Sequence, residues 1–240
     1  MNLFRSLLFV LAKTLWTLVL GILFLPLLLL SRDRMGQCVP FVWTRGILWM
    51  ARHICGIRPS LEGTEYIARG AAIYAMKHQS AYETLYLWQV LPQPVFVLKK
   101  ELLSIPVFGQ YLSGTPIIAI NRKEGAKVIP SLLRQAREHL EKERQIIIFP
   151  EGTRLPPGER KPYKSGIYAI YHAMGLPVIP VAVNTGLVWP KQRFTKTPGT
   201  ATIRFLPPIE PGMEKAAFMQ ELENRIEEAS LALLVSPGVG

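Results

Sequence analysis

The chain has 240 residues, a formal net charge of +11 and an apolar fraction of 49%, which suits one catalytic domain with a smaller appendage. Residues 1–60 hold seven lysines and arginines against one acidic residue, a net charge of +6, so over half of the excess charge lies beside an apolar N-terminus. This distribution predicts an anionic membrane surface as a partner and argues against nucleic acid, for which the sequence has no aromatic RNA-binding motif.

The first predicted element is an uncharged apolar run at residues 14–30. At about 1.5 Å per residue, a helix of this length lies at the low end of what crosses a hydrocarbon core about 30 Å thick. A second segment, residues 39–54, mixes tryptophans and arginines with aliphatic side chains, which is typical of a helix at the lipid headgroups. Two arrangements stay open: a helical hairpin within one leaflet, or one membrane span followed by a surface helix.

Charge also predicts the side of the membrane. Basic residues are denser after the apolar run than before it, and the positive-inside rule then places the rest of the chain in the cytoplasm. We therefore expect two parts: a membrane-associated helical segment at residues 1–56, and an α/β domain at residues 57–240.

Beyond residue 56, short apolar runs alternate with longer mixed stretches. The runs predict strands buried on both faces, at residues 71–76, 95–98, 116–120, 145–149, 178–183 and 201–205. Helices are predicted at residues 81–90, 124–143 and 214–234. This alternation predicts an α/β fold with a mixed, mostly parallel central sheet flanked by helices. In open sheets of this kind, ligands bind near the carboxyl ends of the strands.

The first candidate site residues are His78, directly after the predicted strand 71–76, and Glu83, five residues further on. A histidine can take a proton from an attacking hydroxyl. A carboxylate bonded to its other ring nitrogen fixes the tautomer and stabilises the imidazolium that forms. The alternative is structural, because Ser80-x-x-Glu83 is also a capping box that starts a helix.

The second candidate is the motif Phe-Pro-Glu-Gly-Thr-Arg at residues 149–154, which follows the predicted strand 145–149. Gly152 lets the backbone approach a ligand closely, and Arg154 can bind a phosphate through two hydrogen bonds. An ordinary turn with an exposed arginine is the alternative.

Two further candidates carry less specific signals. Arg122 follows the predicted strand 116–120 and is a candidate phosphate ligand, with a surface salt bridge as the alternative. Lys99 can stabilise an oxyanion or contact an acidic carrier, with a solvated lysine as the alternative. The sequence has no Gly-x-Ser-x-Gly elbow, no phosphate-binding P-loop and no His-Glu-x-x-His, so nothing in it implies a serine nucleophile, a bound nucleotide cofactor or a metal.

In order and spacing, four blocks of residues 56–205 resemble the glycerolipid acyltransferase family. They are the histidine with a carboxylate five residues on, a glycine-containing block that ends at Arg122, the motif at 149–154, and the apolar proline strand 178–183. The chain departs from the family at Glu83, where aspartate is usual. The resemblance implies transfer of an acyl chain from acyl-CoA or acyl carrier protein to the free hydroxyl of 1-acyl-glycerol-3-phosphate, giving phosphatidate, with no cofactor beyond the acyl donor.

The resemblance also implies roles for individual residues. His78 is the general base, Glu83 takes the place of the family aspartate, and Lys99 lies near the thioester oxygen. Gly114 and Arg122 belong to the acceptor-binding block. The glycerol phosphate is held by the four residues Glu151, Gly152, Thr153 and Arg154.

The implied partners are a membrane lipid substrate and a CoA or carrier-protein thioester, at the cytoplasmic side of a bacterial inner membrane. Two alternatives stay open. The first is an acyltransferase for another lyso-lipid, such as a lyso-ornithine lipid, or one for phospholipid remodelling. The second is a non-catalytic lipid-binding adaptor, against which the pair of His78 and Glu83 argues, because a binding module needs no base.

Overall fold

The computed structural model describes residues 1–26, 32–105, 108–121, 125 and 127–235. Two long helices come first, α1 (Asn2–Leu23) and α2 (Arg32–Cys55). The elements that follow alternate in type as the sequence predicts. They are β1 (Ile57–Glu62), β2 (Ala72–Met76), α3 (Tyr82–Val90), β3 (Pro94–Lys99), α4 (Phe108–Ser113), β4 (Ile117–Ile120), α5 (Val128–Leu140), β5 (Gln145–Ile148), α6 (Gly166–Met174), β6 (Val178–Val183), β7 (Gly199–Phe205) and α7 (Lys215–Val235).

The strands form a single sheet in the order β1-β7-β6-β2-β5-β3-β4. Strand β2 runs parallel to β5 and β6, and β3 runs parallel to β4 and β5. Strand β7 is antiparallel to β6 and parallel to the edge strand β1. The predicted α/β fold with a mixed, mostly parallel sheet flanked by helices is therefore confirmed.

Both faces of the sheet are covered by helices, which explains why its central strands are apolar throughout. On one face, α5, α6 and α7 pack on the strands through a cluster that includes Leu132, Ile167 and Phe218. On the other face, Leu87 of α3 joins a cluster of strand residues such as Tyr74. The carboxyl ends of the parallel strands emerge between these two layers, where loops are free to carry functional side chains.

Several elements differ from the prediction. Strand β1 was not predicted because its sequence, Ile-Arg-Pro-Ser-Leu-Glu, has no apolar run; it lies at the sheet edge and pairs with β7 alone among the described strands. Helices α4 and α6 were not predicted either. Helix α4 has only six residues, and α6 is a short, nearly continuous apolar run in which periodicity alone does not separate a helix from a strand. The helix predicted at 124–143 is found as α5, which ends at Leu140, shortly before Glu143 takes a positive φ of 56°. Residues 124 and 126 lie outside the described residues.

The N-terminal helix begins earlier than predicted. Helix α1 starts at Asn2 and includes Arg5 and Lys13, because such long side chains favour helices and their aliphatic parts pack along apolar surface. Of the predicted run at 14–30, residues 27–30 lie outside the described residues. Helix α1 is the one described helix that is long and apolar enough to cross a membrane by length and composition. The division at residue 56, between α2 and β1, stays a prediction.

Helix α1 lies against the rest of the protein near both of its ends. Near its start, the backbone N–H of Lys196 donates to Ser6 Oγ at 2.8 Å, and the Phe9 ring packs edge-to-face on Trp189 at 5.1 Å. Near its end, the Tyr111 hydroxyl donates to the carbonyl of Gly21. These contacts attach α1 to the rest of the protein near both ends.

Candidate active site

Four adjacent strands place the candidate site at one edge of the sheet. These strands are neighbours in the order β6-β2-β5-β3. Thr185 follows β6, His78 follows β2, Glu151 follows β5, and Lys99 is the last residue of β3. Because these four strands run parallel, their carboxyl ends meet at the same edge. Residues that are far apart in the sequence are thereby brought together.

The central contact joins His78 to Glu83. The imidazole Nδ1 lies 2.9 Å from Glu83 Oε1, and the Glu83 carboxylate is completely buried. An ionised carboxylate can only accept hydrogen bonds, so Nδ1 carries the proton and donates it. The other ring nitrogen, Nε2, is then the basic one, and it has no hydrogen-bond partner among the described residues. The longer side chain of glutamate therefore reaches the histidine as an aspartate is expected to do.

Glu83 also lies in the first turn of helix α3 and bonds the backbone that precedes the helix, so the two interpretations drawn from the sequence hold at once. Its Oε1 atom accepts from the backbone N–H groups of Ser80 at 2.7 Å and of Gln79 at 2.9 Å. Its Oε2 atom accepts from the Thr185 hydroxyl at 2.6 Å. Four donors thus hold one carboxylate in place, and the capping interaction fixes the orientation of the group that contacts His78.

The imidazole ring is also held from one face. The Phe149 ring stacks on it with 3.9 Å between the ring centroids and 24° between the planes. With Nδ1 on Glu83 and one face on Phe149, the His78 ring has little freedom to rotate. It remains 17% exposed, which leaves it open to a substrate.

The backbone of His78 is bonded on both sides by the segment at residues 149–155. Its N–H donates to Glu151 Oε2 at 3.0 Å, and its carbonyl accepts from the N–H of Leu155 at 2.9 Å. The two motifs recognised in the sequence therefore form one structural unit, in which the second motif positions the histidine of the first.

Glu151, predicted to help hold the glycerol phosphate, contacts two groups of the protein. Its carboxylate is buried; one oxygen lies 2.6 Å from Lys77 Nζ and the other accepts from His78. Burial raises its pKa, and the ammonium group of Lys77 opposes the rise. Removing one partner of such a buried ion pair lowers the free energy of unfolding by about 3–5 kcal/mol, so the contact with Lys77 matters for the stability of the loop. The geometry therefore supports Glu151 as an organiser of the loop, since its charge repels a phosphate.

The rest of the motif forms a tight turn. Gly152 has a φ of +69°, a conformation that glycine adopts without strain, and its N–H donates to the carbonyl of Phe149 at 2.9 Å. Lys191 Nζ lies 3.4 Å from both Thr153 Oγ1 and the carbonyl of Arg154. Among the described residues, no carboxylate forms a salt bridge with the Arg154 guanidinium.

A cavity of about 510 Å³ opens beside this turn. Lysines outnumber acidic residues in its lining, and one of the two acidic residues, Glu151, is already paired with Lys77. The lining consists of Lys99, Glu101, Glu151, Gly152, Thr153, Lys161, Pro162 and Lys164. The cavity therefore suits an anionic group. No group of three or more His, Cys, Asp or Glu side chains in the described part of the chain could hold a metal ion.

One predicted site residue, Gly114, is not brought into this arrangement. Gly114 lies before the start of β4, at the opposite end of that strand from Ile120, which pairs with Lys99. A Cβ atom at Gly36 of α2 would come within 1.8 Å of the Gly114 carbonyl, so Gly114 lies at a helix-packing contact. Arg122 lies outside the described residues.

Comparison with known proteins shows the family to which the chain is related. Residues 58–184 match the model of the Acyltransferase family. The chain is also 37% identical over 185 residues to the 1-acyl-sn-glycerol-3-phosphate acyltransferase of Pseudomonas aeruginosa, an overlap of 77% of this chain and 72% of that protein. The chain belongs to the acyltransferase family.

Two further comparisons agree with this assignment. The acyltransferase is 32% identical over 181 residues to the 1-acyl-sn-glycerol-3-phosphate acyltransferase of Cocos nucifera, covering 75% of this chain and 57% of that protein. Its fold matches the crystal structure of PlsC, the 1-acyl-sn-glycerophosphate (LPA) acyltransferase of Thermotoga maritima, with a TM-score of 0.75 and 23% identity over 99% of this chain and 98% of that one.

The structure adds residues to the candidate site that the sequence did not reveal. Thr185 contacts Glu83, and Lys161, Lys164 and Lys191 surround the turn. Phe149 belongs to the predicted motif, but its stacking on His78 was not predicted. The position of Thr185, two residues after β6, could have been noticed only with the knowledge that β6 lies next to β2. Nothing in the local sequence of the three lysines distinguishes them from surface lysines.

We expect Thr185→Val to lower kcat about tenfold while the protein stays folded, because a hydrogen bond to a charged group contributes about 1.5–3 kcal/mol and this one orients the carboxylate that holds His78. The conservative variant Thr185→Ser keeps the hydroxyl and should retain most of the activity. Steady-state acyl transfer by the two purified variants checks this. If Thr185→Val is as active as Thr185→Ser and the wild type, the Thr185 hydroxyl has no part in the site.

Proposed function

We propose that this acyltransferase transfers an acyl chain from a thioester to the free hydroxyl of 1-acyl-glycerol-3-phosphate, giving phosphatidate. The observation that carries the proposal is that one segment of the chain both holds the candidate base and lines a cavity rich in lysine. His78 is bonded through its backbone to the same segment, residues 149–155, whose Gly152 and Thr153 line the cavity. The names of the Pseudomonas aeruginosa and Cocos nucifera relatives support the same acceptor.

His78 begins the reaction in this proposal. Its free Nε2 accepts the proton of the acceptor hydroxyl while the oxygen attacks the thioester carbonyl. Glu83 stabilises the imidazolium through Nδ1. When the tetrahedral intermediate collapses, the C–S bond breaks and the thiol of the donor leaves with the proton from His78. The hydroxyl attacks the thioester directly, so no covalent enzyme intermediate is needed.

The cations around the turn bind the acceptor phosphate. Arg154 offers two hydrogen bonds in a planar fork, and Lys161 and Lys164 add positive charge in the cavity. Lys99, at the end of β3, lies in the same lining and stabilises the developing oxyanion or the phosphate. Both acyl-CoA and acyl carrier protein are anionic donors that this surface suits.

The outer face of α1 places the enzyme on its lipid substrate. Leu11, Leu15, Leu18 and Ile22 form a stripe at helical spacing and are each 60–75% exposed. An apolar surface of this extent is stable in contact with lipid and not with water. Because α1 contacts the rest of the protein near both ends, we propose that this face is buried in one leaflet, with Arg45 and Arg52 of α2 available to anionic headgroups.

Replacing His78 with alanine should abolish phosphatidate formation, because the attacking hydroxyl loses its base. The measurement is acyl transfer by detergent-solubilised protein, with lysophosphatidate as acceptor and either acyl-CoA or acyl carrier protein as donor. His172→Ala is the matched control, since His172 is exposed on α6. Turnover retained by His78→Ala would remove His78 as the base.

If the wild-type protein makes no phosphatidate with either donor, the acceptor assignment is wrong. The same assay with lyso-ornithine lipid and with lysophosphatidylcholine then identifies the acceptor. Product from one of these alone would establish an acyltransferase for another lyso-lipid.

Replacing Arg154 with alanine should raise the KM for lysophosphatidate at least tenfold with a smaller change in kcat, because an interaction made equally in the ground and transition states affects binding. Arg154→Lys keeps the charge but loses the planar fork, so its KM should lie between that of the wild type and that of Arg154→Ala. An unchanged KM in Arg154→Ala would remove this residue from the phosphate site.

Binding to vesicles tests the membrane contact. The wild type should float with phosphatidylcholine vesicles and bind more tightly when an anionic lipid is added at low salt, because exposed basic residues then contribute. The triple variant Leu11→Gln, Leu15→Gln, Leu18→Gln should stay in solution. Leu231→Gln, at an exposed leucine of α7, should bind like the wild type. Flotation of the triple variant would contradict the proposal.

A further inference from the structure

A cluster of charged side chains is buried behind His78. Lys77 Nζ donates to Glu151 Oε1 at 2.6 Å, to both oxygens of Glu227 at 2.8 and 2.9 Å, and to the carbonyl of Glu159 at 2.8 Å. The Tyr163 hydroxyl donates to Glu227 Oε1 at 2.9 Å. All three protons of the ammonium group therefore have acceptors, and four segments of the chain meet at one cation.

Burial makes this cluster sensitive to any change. Lys77, Glu151 and Glu227 are each at most 3% exposed, so their charges interact in a medium of low polarity. The burial of Tyr163, together with the negative charge of Glu227, raises the pKa of its hydroxyl, which keeps it a donor. The second cation near Glu227 is Arg160, half-exposed, with its Nε 3.7 Å from Oε2.

One hydrogen bond links the cluster to the candidate base, His78. The Glu151 carboxylate bonds Lys77 with one oxygen and the backbone N–H of His78 with the other. It also belongs to the turn that carries Thr153 and Arg154. The position of the ammonium group of Lys77 therefore affects both the base and the phosphate site.

We propose that Glu227, on α7, is a positioning residue for acyl transfer: it holds Lys77 against Glu151 and thereby sets the place of His78 and of the turn at residues 151–154. The proposal rests on the function proposed above. The family match ends at residue 184, so α7 lies beyond it. Helix α7 is otherwise attached through apolar residues such as Phe218, Leu222 and Ile226, which do not need a charged neighbour.

Glu227→Gln tests the proposal because glutamine keeps the size of the side chain while removing its charge and one acceptor oxygen. We expect kcat per folded molecule to fall about tenfold and the KM for lysophosphatidate to rise about threefold, since small displacements of reacting groups have large effects on rate. The KM for the acyl donor should stay unchanged. Glu228→Gln is the matched control, the same substitution at the exposed neighbouring position on α7, and should behave like the wild type.

A purely structural role gives a different result. It lowers the melting temperature and the folded fraction of Glu227→Gln but leaves kcat per folded molecule and the acceptor KM within twofold of the wild type, and this outcome overturns the proposal. If Glu227→Gln does not fold, Tyr163→Phe decides, because it removes one donor to Glu227 without changing any charge. A fall in kcat of about threefold supports the proposal, and an unchanged kcat overturns it.

The test also separates this proposal from the proposed function. If the wild type makes no phosphatidate, the function fails and the cluster is judged without substrate, by the rate at which diethyl pyrocarbonate modifies His78, followed by mass spectrometry. Loss of the Glu227 charge should then expose the ring and raise that rate at least threefold relative to Glu228→Gln. Equal rates in the two variants overturn the proposal.

Discussion

The site depends on the hydrogen bond between the backbone N–H of His78 and the buried carboxylate of Glu151. A buried carboxylate in this position is stable only because Lys77 lies against it. Glu151 is also the first residue of the turn at residues 151–154, so the same contacts fix the position of the turn. The candidate base and the candidate phosphate site are therefore not on two independent loops. They are held in a fixed relation by a charge that the protein buries, which suits a reaction whose rate depends on the alignment of a hydroxyl with a base.

The arrangement of strands explains why so few residues suffice. Strands β6, β2, β5 and β3 are neighbours and parallel, so the loop after each one adds a side chain to the same edge. Strand β2 supplies His78, β5 supplies Glu151, and β6 is followed by Thr185, which contacts Glu83. Strands β7 and β1 extend the sheet but run in the opposite direction. Their carboxyl ends therefore lie at the other end of the sheet and add no side chain to the candidate site.

The segment that follows β6 joins the site to the N-terminal helix. Thr185 bonds the carboxylate partner of His78, Trp189 packs on Phe9 of α1, and the backbone of Lys196 bonds Ser6 of the same helix. Helix α1 has an apolar outer face, and its other side contacts the loop beside His78. One loop, residues 185–196, thus connects this helix with the candidate site.

The sequence by itself determined the local features: the central strands, the α/β class, the pairing of His78 with Glu83, and the turn with its glycine. Each of these depends on neighbours in the chain, through apolar periodicity, capping or glycine's freedom at positive φ. The sequence did not reveal strand β1, which lacks an apolar run, or the short helices α4 and α6, which show no clear helical period. Only the tertiary structure decided that Glu151 faces Lys77, that Thr185 reaches Glu83, and that Gly114 packs against α2. These contacts join residues far apart in the chain. The first two follow from the order of strands in the sheet and the third from the packing of a helix, neither of which a local pattern encodes.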